Sequence, residues 1–256
     1  MVLPIIFAIG LAAGFVDAIA GGGGLIMLPG LLFTGLPVSS AIATNKLCGT
    51  CGAIASSLKF AHAKQVNWQA CRLMALPIIG GAYLGSHSIG LLPTTYAEPL
   101  VIALITAITA FIVLKPELGT PQPATKQTHP TQSTTKRIIL SLIAGTTIGF
   151  HDGFFGPGTG VFLVFVLLSL WSQNFLKATG SAKVLNLLAN ATALITFALT
   201  GNIDYTKGIA GAIGVSLGAY LGATLAHKKG AKLIKPLFIT VTTTLILKML
   251  FNYATQ

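Results

Sequence analysis

GFVDAIAGGGG, residues 14–24, sets an aspartate and then four consecutive glycines inside an otherwise apolar run. A related phrase, GFHDGFFGPGTG, returns at 149–160. The chain holds only five acidic residues, and two of them, Asp17 and Asp152, stand at matching points just ahead of these glycine-rich stretches. Both choices work against a continuous buried helix. Glycine in a helix interior costs about 1 kcal/mol relative to alanine, and a carboxylate among apolar side chains is expensive unless something compensates it.

The rest of the chain says what surrounds these stretches. Hydrophobic residues make up 53% of it and charged residues 8%, with a mean hydropathy of +0.81. A soluble domain carries about 25% charged residues, so this chain has lipid as its main solvent. The net charge of +11 does not point to nucleic acid, because the basic residues sit in short loops between apolar runs, where they set membrane topology. Three cysteines give no disulfide framework. No phosphate-binding loop or nucleophile elbow is present, and the glycine run lacks the strand that a nucleotide fingerprint needs. Catalysis, a cofactor and a metal are therefore not expected.

Apolar segments run over 3–20, 25–35, 38–58, 69–92 and 96–114, and again over 138–155, 161–172, 175–200, 206–226 and 233–251. Between the two sets lies KPELGTPQPATKQTHPTQSTTKR, 115–137, too polar to bury itself and read as a cytoplasmic linker. The expected fold is all-α and polytopic, with about eight to ten membrane segments. The pieces 25–35 and 161–172 fall short of the roughly 20 residues that span a bilayer.

The two sets repeat. GFVD at 14–17 matches GFHD at 149–152, an offset of 135, and GAYLG at 81–85 recurs at 218–222, an offset of 137. The second offset lays Trp68 on Tyr205 and Lys46 on Lys183. Residues 1–114 and 138–256 thus read as two membrane repeats. If each glycine-broken pair is a hairpin that returns to the side it entered, twelve of the Lys and Arg residues fall on one side and two, Lys207 and Lys248, on the other. The positive-inside rule prefers that arrangement. It makes the halves inverted repeats and places both termini outside. Inverted repeats with interrupted helices are a transporter plan in which the breaks meet near the bilayer midplane and form the substrate site.

Of the sixteen basic residues, two lie in neither loop set: Lys46 in ATNKLCG and Lys183 in GSAKVLN. Ionisable groups at membrane depth face a polar pathway. Lysines and helix N-termini favour an anion, so the candidate substrate site comprises Lys46 and Lys183 with Thr44, Asn45, Ser181, Asn186 and Asn190. The breaks Gly21, Gly22, Gly23, Gly24, Gly156 and Gly158 join it, since unwound backbone at that depth lines a cavity. Asp17, Asp152 and His151 are candidates for proton coupling, or for ion pairs with the lysines. Cys48 and Cys51 form a C-x-x-C read as packing residues, with contact to a sulfur-containing substrate as the alternative. Cys71 receives no role.

The run GFVDAIAGGGGLIMLPGLLFTGLP, followed by ATNKLCG, Trp68 and GAYLG, resembles the bacterial sulfite exporter TauE/SafE family, also called the 4-toluene sulfonate uptake permease family. The resemblance covers nearly the whole chain. The second half departs from the pattern, with GPGTG in place of the glycine run and GSAK in place of ATNK. It implies a multi-pass inner-membrane transporter of small sulfur anions such as sulfite, sulfonates and sulfoacetate. The residues alone reach only "anion". A passive anion channel and a membrane-embedded thiol enzyme are the rival readings. A homo-oligomer is left open.

Overall fold

The computed structural model describes residues 2–89, 91, 96, 99, 100, 103, 104, 107 and 134–229. Among them are eight α-helices and no strand: α1 (Val2–Ala20), α2 (Gly24–Leu32), α3 (Val38–His62), α4 (Trp68–Ile89), α5 (Thr134–Phe154), α6 (Thr159–Trp171), α7 (Phe175–Thr200) and α8 (Tyr205–Lys229). Most of the expected segment 96–114, the linker as far as 133 and the expected segment 233–251 lie outside the described residues. Helix α5 begins at Thr134, within the stretch read as linker. Arg137 in its first turn lies over the Trp171 ring, 4.8 Å from its centroid, and Trp171 Nε1 donates to Ser141 Oγ at 3.1 Å.

By length and composition, three of the described helices are apolar enough to cross a membrane, over Val2–Ile19, Phe175–Thr200 and Tyr205–Ala226. Helix α3 has 25 residues, about 37 Å at 1.5 Å per residue, but Thr44, Asn45 and Lys46 dilute its apolar character. Helices α2 and α6 have only 9 and 13 residues.

The breaks fall where the sequence places glycine. Gly21 has φ +76°, Gly156 +98° and Gly158 +86°, left-handed values that an L side chain rarely adopts. Helix α1 therefore stops after Ala20 and α2 restarts at Gly24; α5 stops after Phe154 and α6 restarts at Thr159.

Two seams of small residues clamp the helices in pairs. In the α1–α8 seam, a Cβ at Gly14 would lie 2.0 Å from the Val215 carbonyl oxygen, and one at Gly218 would lie 2.0 Å from that of Leu11. In the α4–α5 seam, a Cβ at Gly149 would lie 2.4 Å from the Ile78 carbonyl oxygen, and one at Gly81 would lie 2.2 Å from that of Thr146. Gly14 and Gly149 are related by the offset of 135, and Gly218 and Gly81 by 137. The seams are the same contact made twice, with the halves exchanged. Such backbone approach is how membrane helices gain van der Waals contact where no hydrophobic drive separates them from lipid.

Candidate functional site

Lys46 and Lys183 sit near the middles of α3 and α7, and both side chains are buried to within 1%. Each pairs with the aspartate of the other half. Lys46 Nζ donates to Asp152 Oδ2 at 2.8 Å, and Lys183 Nζ to Asp17 Oδ2 at 2.7 Å. Lys46 Nζ also donates to the backbone oxygen of Asp152. The second carboxylate oxygen is held as well. Asp152 Oδ1 accepts from Asn186 Nδ2 at 3.4 Å, and Asp17 Oδ1 accepts from the backbone N–H of Gly23 at 3.0 Å. The sequence offered proton coupling or ion pairing for these residues; the ion pairs are present, and they cross between the halves.

The crossing brings the breaks together. A Cβ at Gly21 would lie 2.5 Å from the Gly160 carbonyl carbon, and one at Gly24 would lie 3.1 Å from Pro157 Cα. Gly156 packs on the lysine itself, where a Cβ would lie 2.6 Å from Lys46 Nζ. Between the breaks is a cavity of about 40 Å³. Gly21, Gly23, Gly24, Gly156, Gly158 and Gly160 line it together with Asp17, Asp152, Asn45, Cys48, Asn186 and Asn190. Gly22 stands beside it, and its carbonyl accepts from Leu25 N at 3.0 Å in the first turn of α2. The two lysines lie behind their aspartates. With both pairs closed the four charges sum to zero, so an incoming anion meets no uncompensated cation from this set.

Thr44 and Ser181 are engaged elsewhere, in matching ways. The Asp204 N–H donates to Thr44 Oγ1 at 3.0 Å, and the Asn67 N–H donates to Ser181 Oγ at 2.8 Å. Asn67 and Asp204 are themselves related by the offset of 137 and start equivalent helices. Asn67 Oδ1 accepts from Gln69 N and Ala70 N on α4, and Asp204 Oδ1 accepts from Lys207 N on α8. These are N-caps that hold the helix starts in place. The sequence reading passed over Asn67 and Asp204, although each immediately precedes an aromatic residue already matched by the repeat.

His151 lies at the edge of this centre. Its Nδ1 is 3.3 Å from Thr159 Oγ1. That hydroxyl donates to the Gly156 carbonyl at 2.7 Å, so the imidazole N–H is assigned to Nδ1 as donor. Nε2 is buried with no partner among the described residues. The His151 ring meets Phe155 and Phe162 edge-on, at 5.9 and 5.5 Å between centroids. Cys48 borders the cavity and donates to the Gly208 carbonyl at 3.5 Å; Cys48 and Cys51 are free thiols.

A bundle of apolar helices with two glycine breaks, crossed buried ion pairs and a polar cavity between them describes a multi-pass membrane protein built to handle a small solute. The sequence model of the sulfite exporter TauE/SafE family matches residues 6–249, and the chain belongs to that family of membrane transporters. A "Probable membrane transporter protein" of Haemophilus influenzae is 34% identical over 98% of this chain and 95% of its own length. "Probable membrane transporter protein YfcA" of Escherichia coli is 32% identical over 98% and 91%. "Probable membrane transporter protein ORF9" of a Sinorhizobium species is 35% identical over 97% and 92%. No solved structure matches.

Removing one partner of a buried pair leaves a stranded charge, at a typical cost of about 3–5 kcal/mol. Lys46→Met is therefore expected to lower the unfolding temperature of the detergent-purified protein, and Lys46→Met with Asp152→Leu to regain most of the loss. A single variant as stable as the parent would show that the pair contributes nothing to the folded state.

Proposed function

We propose that this chain is a proton-coupled secondary transporter of a small anion, of the class of sulfur oxyanions and organosulfonates that includes sulfite, sulfoacetate and taurine-like compounds. The crossed Lys–Asp pairs at the meeting of the two breaks are the observation that carries this reading. Each lysine keeps its charge at membrane depth because an aspartate neutralises it. When an aspartate takes a proton, its lysine needs a new counter-charge, and an anion supplies it. A proton and a monovalent anion then enter the centre together with no change in net charge. Asn45, Asn186 and Asn190 give the anion amide donors, while Thr44 and Ser181 act from outside by bracing the helices that carry the lysines. His151, next to Asp152, is the remaining titratable group at the edge of the centre.

The two halves, 1–114 and 138–256, act in this reading as inverted repeats. The pairs α1–α2 and α5–α6 are hairpins whose tips meet at the site, and both termini lie on the periplasmic side of the inner membrane. The exchanged glycine seams, the exchanged caps and the exchanged ion pairs support a two-fold relation between the halves, and the basic loops support its inverted sense.

Purified protein in liposomes, tested with labelled sulfite and a panel of sulfonates, is expected to accumulate an anion above equilibrium under a pH gradient and to lose it when a protonophore is added. Downhill flux indifferent to the gradient would identify a passive pore, and no flux across the panel would overturn the proposal. For topology, a reporter fused after Gln256 is expected to be active in the periplasm; cytoplasmic activity would contradict the inverted arrangement.

A further inference from the structure

The two ion pairs are related by sequence but differ in their surroundings. Asp152 borders the cavity too but is only 1% exposed, with Lys46 on one oxygen, Asn186 on the other and Lys46 again on its backbone carbonyl. Asp17 is 20% exposed and faces the cavity. The difference traces to single residues. The position matching Asn186 in the first half is Gly49, which has no side chain to hold Asp17 and instead lines the cavity. The glycine matching Gly156 is Gly21, whose closest neighbours are the backbone of Gly160 and Val161 rather than a lysine.

We propose that the Asp17 carboxylate is a tethered stand-in for the transported anion, seated on the donors that the anion itself uses. Those donors are Lys183 Nζ and the Gly23 N–H at the start of α2, each bonded to a different oxygen of Asp17. Asn45 completes the site. It is 6% exposed, it lines the same cavity, and its side-chain amide has no hydrogen-bond partner among the described residues. The ligand that replaces Asp17 must present two oxygens on one centre, as a sulfonate, sulfite or carboxylate does and a halide does not. The inference rests on the anion-transport reading and adds which pair opens: Asp17–Lys183 exchanges, and Asp152–Lys46 stays closed.

The balance is simple. Asp17 takes one proton from the water on the entry side and its bonds to Lys183 and Gly23 break. The oxyanion accepts both donors, and the site's net charge is unchanged. Asp17 gives the proton up, and recovers both donors, as the anion leaves. Of the ionisable groups around Asp17, Lys183 on α7 bonds it, and the Cys48 thiol on α3 and Asp152 on α5 share its cavity, while Lys46 stands behind Asp152 and His151 at the edge of the centre on Thr159. Helices α2 and α6 carry none. Those of α8 fall in its first and last turns, apart from Tyr220, whose ring lies under Lys59.

The test is binding of methanesulfonate, whose own charge does not change with pH, to the purified full-length protein. Parent affinity is expected to rise about tenfold for each unit that pH falls, one proton being linked to one anion, and chloride is not expected to compete. Asp17→Ala is expected to bind at least tenfold more tightly at alkaline pH and with no pH dependence. Asp17→Asn, which keeps the side-chain shape, is expected to lose the pH dependence too. Asp152→Asn is expected to keep it. A pH-independent parent, competition by chloride, retained pH dependence in the Asp17 variants, or its loss in Asp152→Asn instead would each overturn the inference. So would the absence of methanesulfonate binding. Binding that follows these rules without flux in liposomes would leave the anion site standing and remove the transport reading.

Discussion

Four charges among apolar helices, arranged as two largely buried ion pairs that cross from one half of the chain to the other, are the constraint around which this molecule is organised. A lone lysine or aspartate on these helices would strand an ion away from water, and its desolvation would outweigh what packing returns. Neither half can satisfy its own charges in the observed arrangement, because Lys46 reaches Asp152 and Lys183 reaches Asp17. The pairs thus tie the halves together. At one of the breaks the lysine approaches the unwound end of the facing helix, where Gly156, in a left-handed conformation, packs on the Lys46 ammonium.

Much of this was legible in the chain. The two offsets, the glycine breaks, the short helices beyond them and the matched Asp and Lys residues are all sequence patterns, and family membership followed from the same stretches. The pairing was not legible. Periodicity places a residue on a helix face, but it does not say which helix of the other half that face will meet. Thr44 and Ser181 show the same limit locally. Each stands two residues before its lysine, and residues two apart do not share a helix face. Their hydroxyls accordingly meet the caps of α8 and α4. Asn186 and Asn190 stand three and seven residues beyond Lys183, on its face, and both border the cavity. The start of α5 at Thr134 was hidden by its polar first turn, which resembles the linker in composition; Arg137 and Trp171 meet there as cation and ring.

Near-symmetry with local exceptions suits a machine that must do one job through two related halves. The seams, the caps and the ion pairs are shared by both halves, whereas Asn186 and Asn190 have Gly49 and Ala53 as their counterparts. The first of these differences leaves Asp152 held by side chains on both oxygens, while the more exposed Asp17 is held by one side chain and one backbone N–H. In the proposed cycle the locked pair keeps the hairpins in register while the open pair trades its carboxylate for substrate.

The most direct test is an experimental structure of the protein determined at acidic pH with methanesulfonate bound. The account predicts one anion between the breaks, two of its oxygens on Lys183 Nζ and the Gly23 N–H, the Asp17 side chain turned away and the Lys46–Asp152 pair intact. An anion bound elsewhere with both ion pairs closed would contradict it.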